Sequence, residues 1–239
     1  MVPIRDDNPT STTPVVVYAL LVLNVVIFLH EITLSPDALQ QFFNQWAIVP
    51  AELTASFGGG STGAVSVVAE REWFTLISSQ FLHGGWLHVG GNMLYLWVFG
   101  NNIEDQLGPV KFLFFYLMCG VLAGLSQWFF DPVSVVPTLG ASGAVAGIMG
   151  AYIIRFPRAK IVTLIPLFIL FTTFRIPAIF FLGWWFVQQA FYSAMSLGAP
   201  ADMGAGGVAY WAHAGGFIFG AILAPLLGLF AKGRDRYRW

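Results

Sequence analysis

Six apolar runs dominate the sequence: Pro14 to Leu29, Trp86 to Phe99, Phe112 to Phe130, Leu139 to Ile154, Ile176 to Leu197 and Trp211 to Ala231. A hydrocarbon core about 30 Å thick takes about 20 apolar residues per helix, so runs of this length read as membrane spans. Charged residues make up only 10% of the 239, against about 25% in a typical soluble domain, too few to cover the surface of a soluble globule. The reading is therefore one all-α polytopic membrane domain. With a net charge of −1 and no broad basic patch, nothing points to nucleic acid. The single Cys119 excludes an internal disulfide and a Cys-based zinc site, and reads as a buried small hydrophobe.

The residues before the first run, Met1 to Thr13, carry Asp6, Asp7 and Asn8 and lack the basic start of a cleaved signal peptide, so the first run reads as a retained anchor. From His30 to about residue 72 the prolines, charges and the Gly58 to Ser61 cluster mark a long loop with amphipathic pieces such as Leu39 to Trp46. Domain boundaries are expected at 1–13 for a short cytoplasmic tail, 14–231 for the membrane domain and 232–239 for a basic cytoplasmic tail. Ile161 to Phe174 is apolar too, but it is short, rich in Ile, Thr and Phe, and broken by Pro166. It suits a re-entrant or surface-lying segment rather than a span. With that assignment, ten of the 11 Lys and Arg residues fall on one side and only Arg71 on the other. By the positive-inside rule, both termini are expected in the cytoplasm and the long first loop outside.

Polar side chains at membrane depth are costly and are by default candidates for function. His88 and Asn92 lie four apart in the second run and share a helix face. Ser142 opens the fourth run within GASG, and His213 stands near the start of the sixth within AHAGG. The second, fourth and sixth helices would all enter from outside, which brings these four residues to similar depth. Gly143 and Gly147, and Gly216 and Gly220, form two GxxxG pairs that let helix backbones approach closely. If those faces pack, Ser142 and His213 come within reach, and an imidazole near neutral pH can take the proton from a serine hydroxyl. The Asn92 amide, an imidazole N–H of His88 and the Ser142 backbone N–H are suitable in kind to hold an oxyanion. Taken one at a time, each of these residues has a plain packing or hydrogen-bonding role. Their coincidence at one depth reads as a serine hydrolase site.

The sequence resembles the rhomboid family of intramembrane serine proteases, over about Trp73 to Gly220. FLHGGWLHVGGN places His83, His88 and Asn92 on the family's His, His and Asn; GASG, with Gly140, places Ser142 on the nucleophile; AHAGGFIFG places His213 on the base and Gly216 and Gly220 on packing glycines. The resemblance implies a six-transmembrane-helix bundle with a short central fourth helix and a water-filled cavity open to the outer face. It also implies a Ser-His dyad without an acidic member, cofactor or metal, in keeping with six apolar runs that contain no Asp or Glu; Asp202, in the last outer loop, stays open as a residue that reaches the site. Two positions depart from common family patterns. Phe74 follows Trp73 where many members have arginine. Ala146 stands where some carry an aromatic that stacks on the catalytic imidazole, so orientation of His213 must come from something else.

The resemblance further implies that the partners are transmembrane protein substrates in the lipid bilayer, cut where their helices unwind near the outer end, and it suits a bacterial plasma membrane. The oligomeric state is not encoded in any motif. The alternative is a non-catalytic rhomboid-like binder of transmembrane helices, although such proteins usually lack the serine or histidine. A transporter would need a charge-lined relay, and zinc or aspartyl intramembrane proteases would need H-E-x-x-H or two intramembrane Asp residues, none of which occurs.

Overall fold

The computed structural model describes residues 1–57, 72–167, 170–197 and 208–231. The Gly58 to Ser61 cluster, Arg71, Asp202 and the 232–239 tail lie outside them. In chain order the elements are β1 (Val2–Asp6), α1 (Val15–Glu31), α2 (Pro36–Trp46), α3 (Pro50–Phe57), α4 (72–78) running into a 3-10 turn at Ser79–Phe81, α5 (Trp86–Leu107) and α6 (Pro109–Phe130). They continue with α7 (Ser142–Arg155), the strands β2 (Lys160–Leu167) and β3 (Leu170–Pro177), α8 (Ala178–Ser196) and α9 (Tyr210–Leu226).

Each apolar run forms a helix, namely α1, α5, α6, α7, α8 and α9. Among the described residues α6 alone is long and apolar enough throughout to cross a membrane by those two criteria. The short α7 is the centre of the fold: Gly143 to Tyr152 are all buried, against α5, α6, α8 and α9. At 1.5 Å per residue its 14 residues span about 21 Å, less than a hydrocarbon core. Around it, α1, α8 and α9 expose apolar side chains such as Val22, Val26, Phe180, Phe191, Ile222 and Leu226. Bare apolar faces of this extent need a non-aqueous neighbour.

The helices extend past their apolar runs, and this brings acidic residues into them. Glu31 ends α1 and is buried, its carboxylate accepting the His83 backbone N–H at 3.2 Å. Glu104 near the end of α5 is buried as well. Its two oxygens accept the N–H groups of Val16 and Val17 at 3.0 and 2.8 Å, satisfying the otherwise unpaired first turn of α1. The expectation of acid-free spans thus holds for the apolar runs and fails for the complete helices.

The chain is not entirely helical, because Ile161 to Phe174 is built of strands. Strands β2 and β3 form an antiparallel hairpin with Lys160 opposite Pro177, so the chain leaves the bundle and returns at the same place. Strand β1 adds to the other edge of β2, giving the order β1-β2-β3. β-branched Ile, Val and Thr side chains favour this pleated conformation over helix. Contacts collect at this end of the bundle: Tyr152 of α7 donates to Asp6 of β1 at 2.5 Å, Ser11 and Thr12 donate to Asp105 of α5, and Lys111 of α6 donates to the Leu227 carbonyl after α9. The loop region from His30 contains α2, with the Ser35 hydroxyl capping its N-terminus, and α3.

The Asp6 contact should respond to pH. Burial raises the Asp6 carboxyl from 3.8 to about 6, against the opposing effect of the Tyr152 hydrogen bond. A carboxyl raised on folding favours the folded state while protonated, so its stabilisation is complete below the unfolded value and is lost as the pH climbs through about 6. Thermal stability of the wild type should therefore fall between about pH 5 and about pH 7.5 by more than that of Asp6→Asn, measured on the same detergent preparation. Parallel pH profiles for the two proteins would remove Asp6 from this role.

Candidate active site

The GASG loop is set before the helix begins. Gly140 has φ +125°, a region L side chains rarely adopt, and its N–H donates to the Ser79 carbonyl at 2.8 Å. Just upstream, Thr138 and Ile48 exchange backbone hydrogen bonds, which tie the loop to the segment before α3. A Cβ built on Gly140 would come within 2.7 Å of His88 Nε2 and 3.5 Å of Ser142 Oγ. The imidazole and the hydroxyl therefore flank one glycine that neither space nor backbone geometry allows to be anything else. Ser142 is the first residue of α7 and is half-buried above the buried stretch Gly143 to Tyr152. Its backbone N–H belongs to the first turn, where no intrahelical acceptor exists.

Close packing of α7 on α9 carries His213 toward this point. A Cβ on Gly216 would run into the Gly143 carbonyl, and one on Gly220 would run into the Gly147 carbonyl; Gly150 faces Phe217 O in the same way. The Ala212 carbonyl is 3.9 Å from the Cβ position of Gly143, which puts the residue before His213 beside the residue after Ser142. On its other side α7 meets α6, where Ala123 Cβ and Cys119 Sγ lie 2.6 Å from the Cβ positions of Gly143 and Gly147. Cys119 is buried as expected, and its sulfur fills the space that the Gly147 position leaves open.

The two side chains expected to hold an oxyanion, His88 and Asn92, stand on α5. His88 Nδ1 accepts the Gly84 N–H at 3.3 Å, so in the neutral ring the proton sits on Nε2, the nitrogen beside Gly140. Asn92, one turn on, is buried, and its Nδ2 has no hydrogen-bond partner. A buried unpaired donor costs about 1–3 kcal/mol, which a developing negative charge would recover. His83 is buried with its ring 5.1 Å from that of His88, edge to face.

No hydrogen bond joins Ser142 to His213 among those the structure contains. Instead, His213 Nδ1 lies 2.8 Å from Oε1 of Gln189 on α8, and its ring stands 5.9 Å from that of Trp185 and 6.4 Å from that of Tyr210. In the sequence Gln189 is only one polar residue within the fifth apolar run; the absence of a ring at Ala146 is the signal that pointed to a further group orienting His213. Phe74, in place of the commoner arginine, packs edge-on against Trp46 at 6.0 Å.

Residues 70–230 match the Rhomboid domain family. The chain belongs to the rhomboid family. This makes it an integral, polytopic helical membrane protein. It is 30% identical to Rhomboid protein 1, mitochondrial, of Saccharomyces cerevisiae over 152 residues, covering 62% of this chain and 40% of the yeast protein. Two Bacillus subtilis proteins are also similar. Rhomboid protease GluP is 37% identical over 86 residues, 36% of this chain and 16% of that protein. Putative rhomboid protease YdcA is 31% identical over 116 residues, 48% and 58% respectively. The matches span less than two thirds of each relative's length.

The glycine seam has a direct test. Gly220→Ala puts a methyl group into the backbone of α7 and should destabilise by at least about 1–3 kcal/mol, read as a clear fall in Tm. Gly183→Ala, on α8, meets nothing within 4 Å and should leave Tm unchanged or slightly raised. Equal melting temperatures for the two variants would mean that α7 and α9 are not in backbone contact.

Proposed function

We propose that this rhomboid is an intramembrane serine endopeptidase that cuts transmembrane segments of other membrane proteins by a Ser142-His213 dyad. The single observation that carries the reading is the glycine seam of α7 and α9, because it aligns the GASG and AHAGG motifs at one end of the bundle. His213 removes the Ser142 proton as Oγ bonds to the scissile carbonyl carbon, and returns it to the departing amine as the C–N bond breaks. His88 Nε2–H, Asn92 Nδ2 and the Ser142 N–H stabilise the oxyanion between these steps. Water then hydrolyses the acyl-enzyme by the same route. No metal or cofactor is needed for this chemistry.

The topology follows the charge split: both termini in the cytoplasm and the Ser142 end outward. The gathering of the N-terminal strand, the β2–β3 hairpin and the ends of α7 and α9 at the opposite end of the bundle supports it. A bacterial plasma membrane suits the chain, and the relatives include both bacterial and mitochondrial proteins. The second reading, a non-catalytic binder of transmembrane helices, draws on the missing Ser142-His213 hydrogen bond. Catalytic hydrogen bonds are often long before substrate arrives, so the proteolytic reading stands.

The deciding experiment is cleavage of a model transmembrane substrate in proteoliposomes. Ser142→Ala and His213→Ala should each abolish cleavage, and the double variant should be no worse than either, since members of one catalytic unit are not additive. Asn92→Ala should lower kcat by up to about 10² to 10³ with little change in KM. Binding of the substrate by the wild type without cleavage would favour the second reading, and cleavage by Ser142→Ala at the wild-type rate would rule out Ser142 as the nucleophile.

A further inference from the structure

We propose that Gln189 is the positioning residue of the dyad, taking on the fifth apolar helix the place that an acidic side chain holds in a three-membered site. The inference rests on the proteolytic reading above.

An amide oxygen can only accept, so the 2.8 Å contact between Gln189 Oε1 and His213 Nδ1 requires the proton on Nδ1. The neutral ring then carries its basic lone pair on Nε2, the nitrogen left to receive a proton from Ser142. Once Nε2 is protonated, the Nδ1–H bond to the amide oxygen strengthens, because the donor has become cationic. Proton and charge balance within the dyad: the serine O–H bond breaks, the Nε2–H bond forms, and Gln189 neither gains nor loses a proton.

The placement of Gln189 is built rather than incidental. Trp185, Gln189 and Ser193 stand at four-residue spacing on α8, one above the other. Trp185 faces both His213 and Phe217, which are four apart on α9, at 5.9 and 6.1 Å between rings, and Phe186 stacks on Phe217 at 4.7 Å. Ser193 is fully buried, and its hydroxyl donates to the main-chain carbonyl of Gln189 at 2.8 Å, so this turn of α8 faces inward. One stripe of α8 therefore packs along one stripe of α9, and this packing sets Gln189 opposite His213. Ala146 leaves the task of orienting the ring to this stripe.

Ring-15N-labelled protein in detergent, with His213 assigned by comparison with His213→Gln, should show His213 protonated at Nδ1 in the wild type at neutral pH. Gln189→Leu should shift it toward the Nε2–H form. In cleavage assays Gln189→Leu should lower kcat about 10-fold to 100-fold with KM unchanged, part of the roughly 10² to 10³ or more that a positioned base supplies. Gln189→Glu, which keeps an acceptor at the same reach, should restore most of kcat and the Nδ1–H signature. An Nε2-protonated His213 in the wild type, or wild-type kcat in Gln189→Leu, would overturn the proposal. Both wild-type tautomer and variant spectra are readable without activity, so a failure of the proteolytic reading, seen as cleavage that survives Ser142→Ala, remains distinct from a failure of this one.

Discussion

Backbone contact between α7 and α9 is the constraint on which the rest of the molecule depends. Gly216 and Gly220 lie against the carbonyls of Gly143 and Gly147, and no side chain larger than hydrogen fits at either place. In a membrane, where lipid tails are as apolar as leucine, helices associate through this kind of close packing rather than through the hydrophobic effect. The contact does two things at once. It buries the short α7 at the centre of the bundle, and it brings the start of α9 beside the start of α7, so that a serine and a histidine 71 positions apart in sequence share one end.

Polar contacts at the two ends keep that arrangement in register. At the Ser142 end, the Glu31 carboxylate holds the His83 backbone, the Ser79 carbonyl holds Gly140, and Gln127 accepts the Ala212 N–H at 3.4 Å. At the other end, Glu104 caps α1, and the three-stranded sheet ties the N-terminal segment to the connection between α7 and α8. None of these groups reacts. They fix the helix ends, and the catalytic candidates are all side chains at or near helix starts, where a shift of one end would separate them.

Much of this was legible in the sequence because membrane physics leaves few choices. A run of apolar residues must become a helix, since its backbone groups have no other partners in lipid. For that reason all six runs appear as helices, and the small-residue spacing at Gly143, Gly147, Gly216 and Gly220 marks the contact face in advance. Ile161 to Phe174 was harder, because a β hairpin is decided by pairing across strands: its proline and short length excluded a span, but the partner strand, Val2 to Asp6, lies more than 150 residues away and shows no pattern of its own. Helix ends were misjudged for a related reason. Hydropathy reports where lipid begins, and Glu31 and Glu104 are helical beyond that limit because tertiary partners satisfy them. Gln189 was visible only as a polar residue in an apolar run; its partner, 24 positions away, emerges from the crossing of α8 with α9.

The central claim is that the seam delivers an activated serine, and reactivity toward a fluorophosphonate tests it without needing a natural substrate. Treated in detergent and mapped by mass spectrometry, the wild type should carry one adduct, on Ser142, and His213→Ala should carry none at the same time and concentration. An adduct at another serine, or equal labelling of Ser142 with and without His213, would contradict the account.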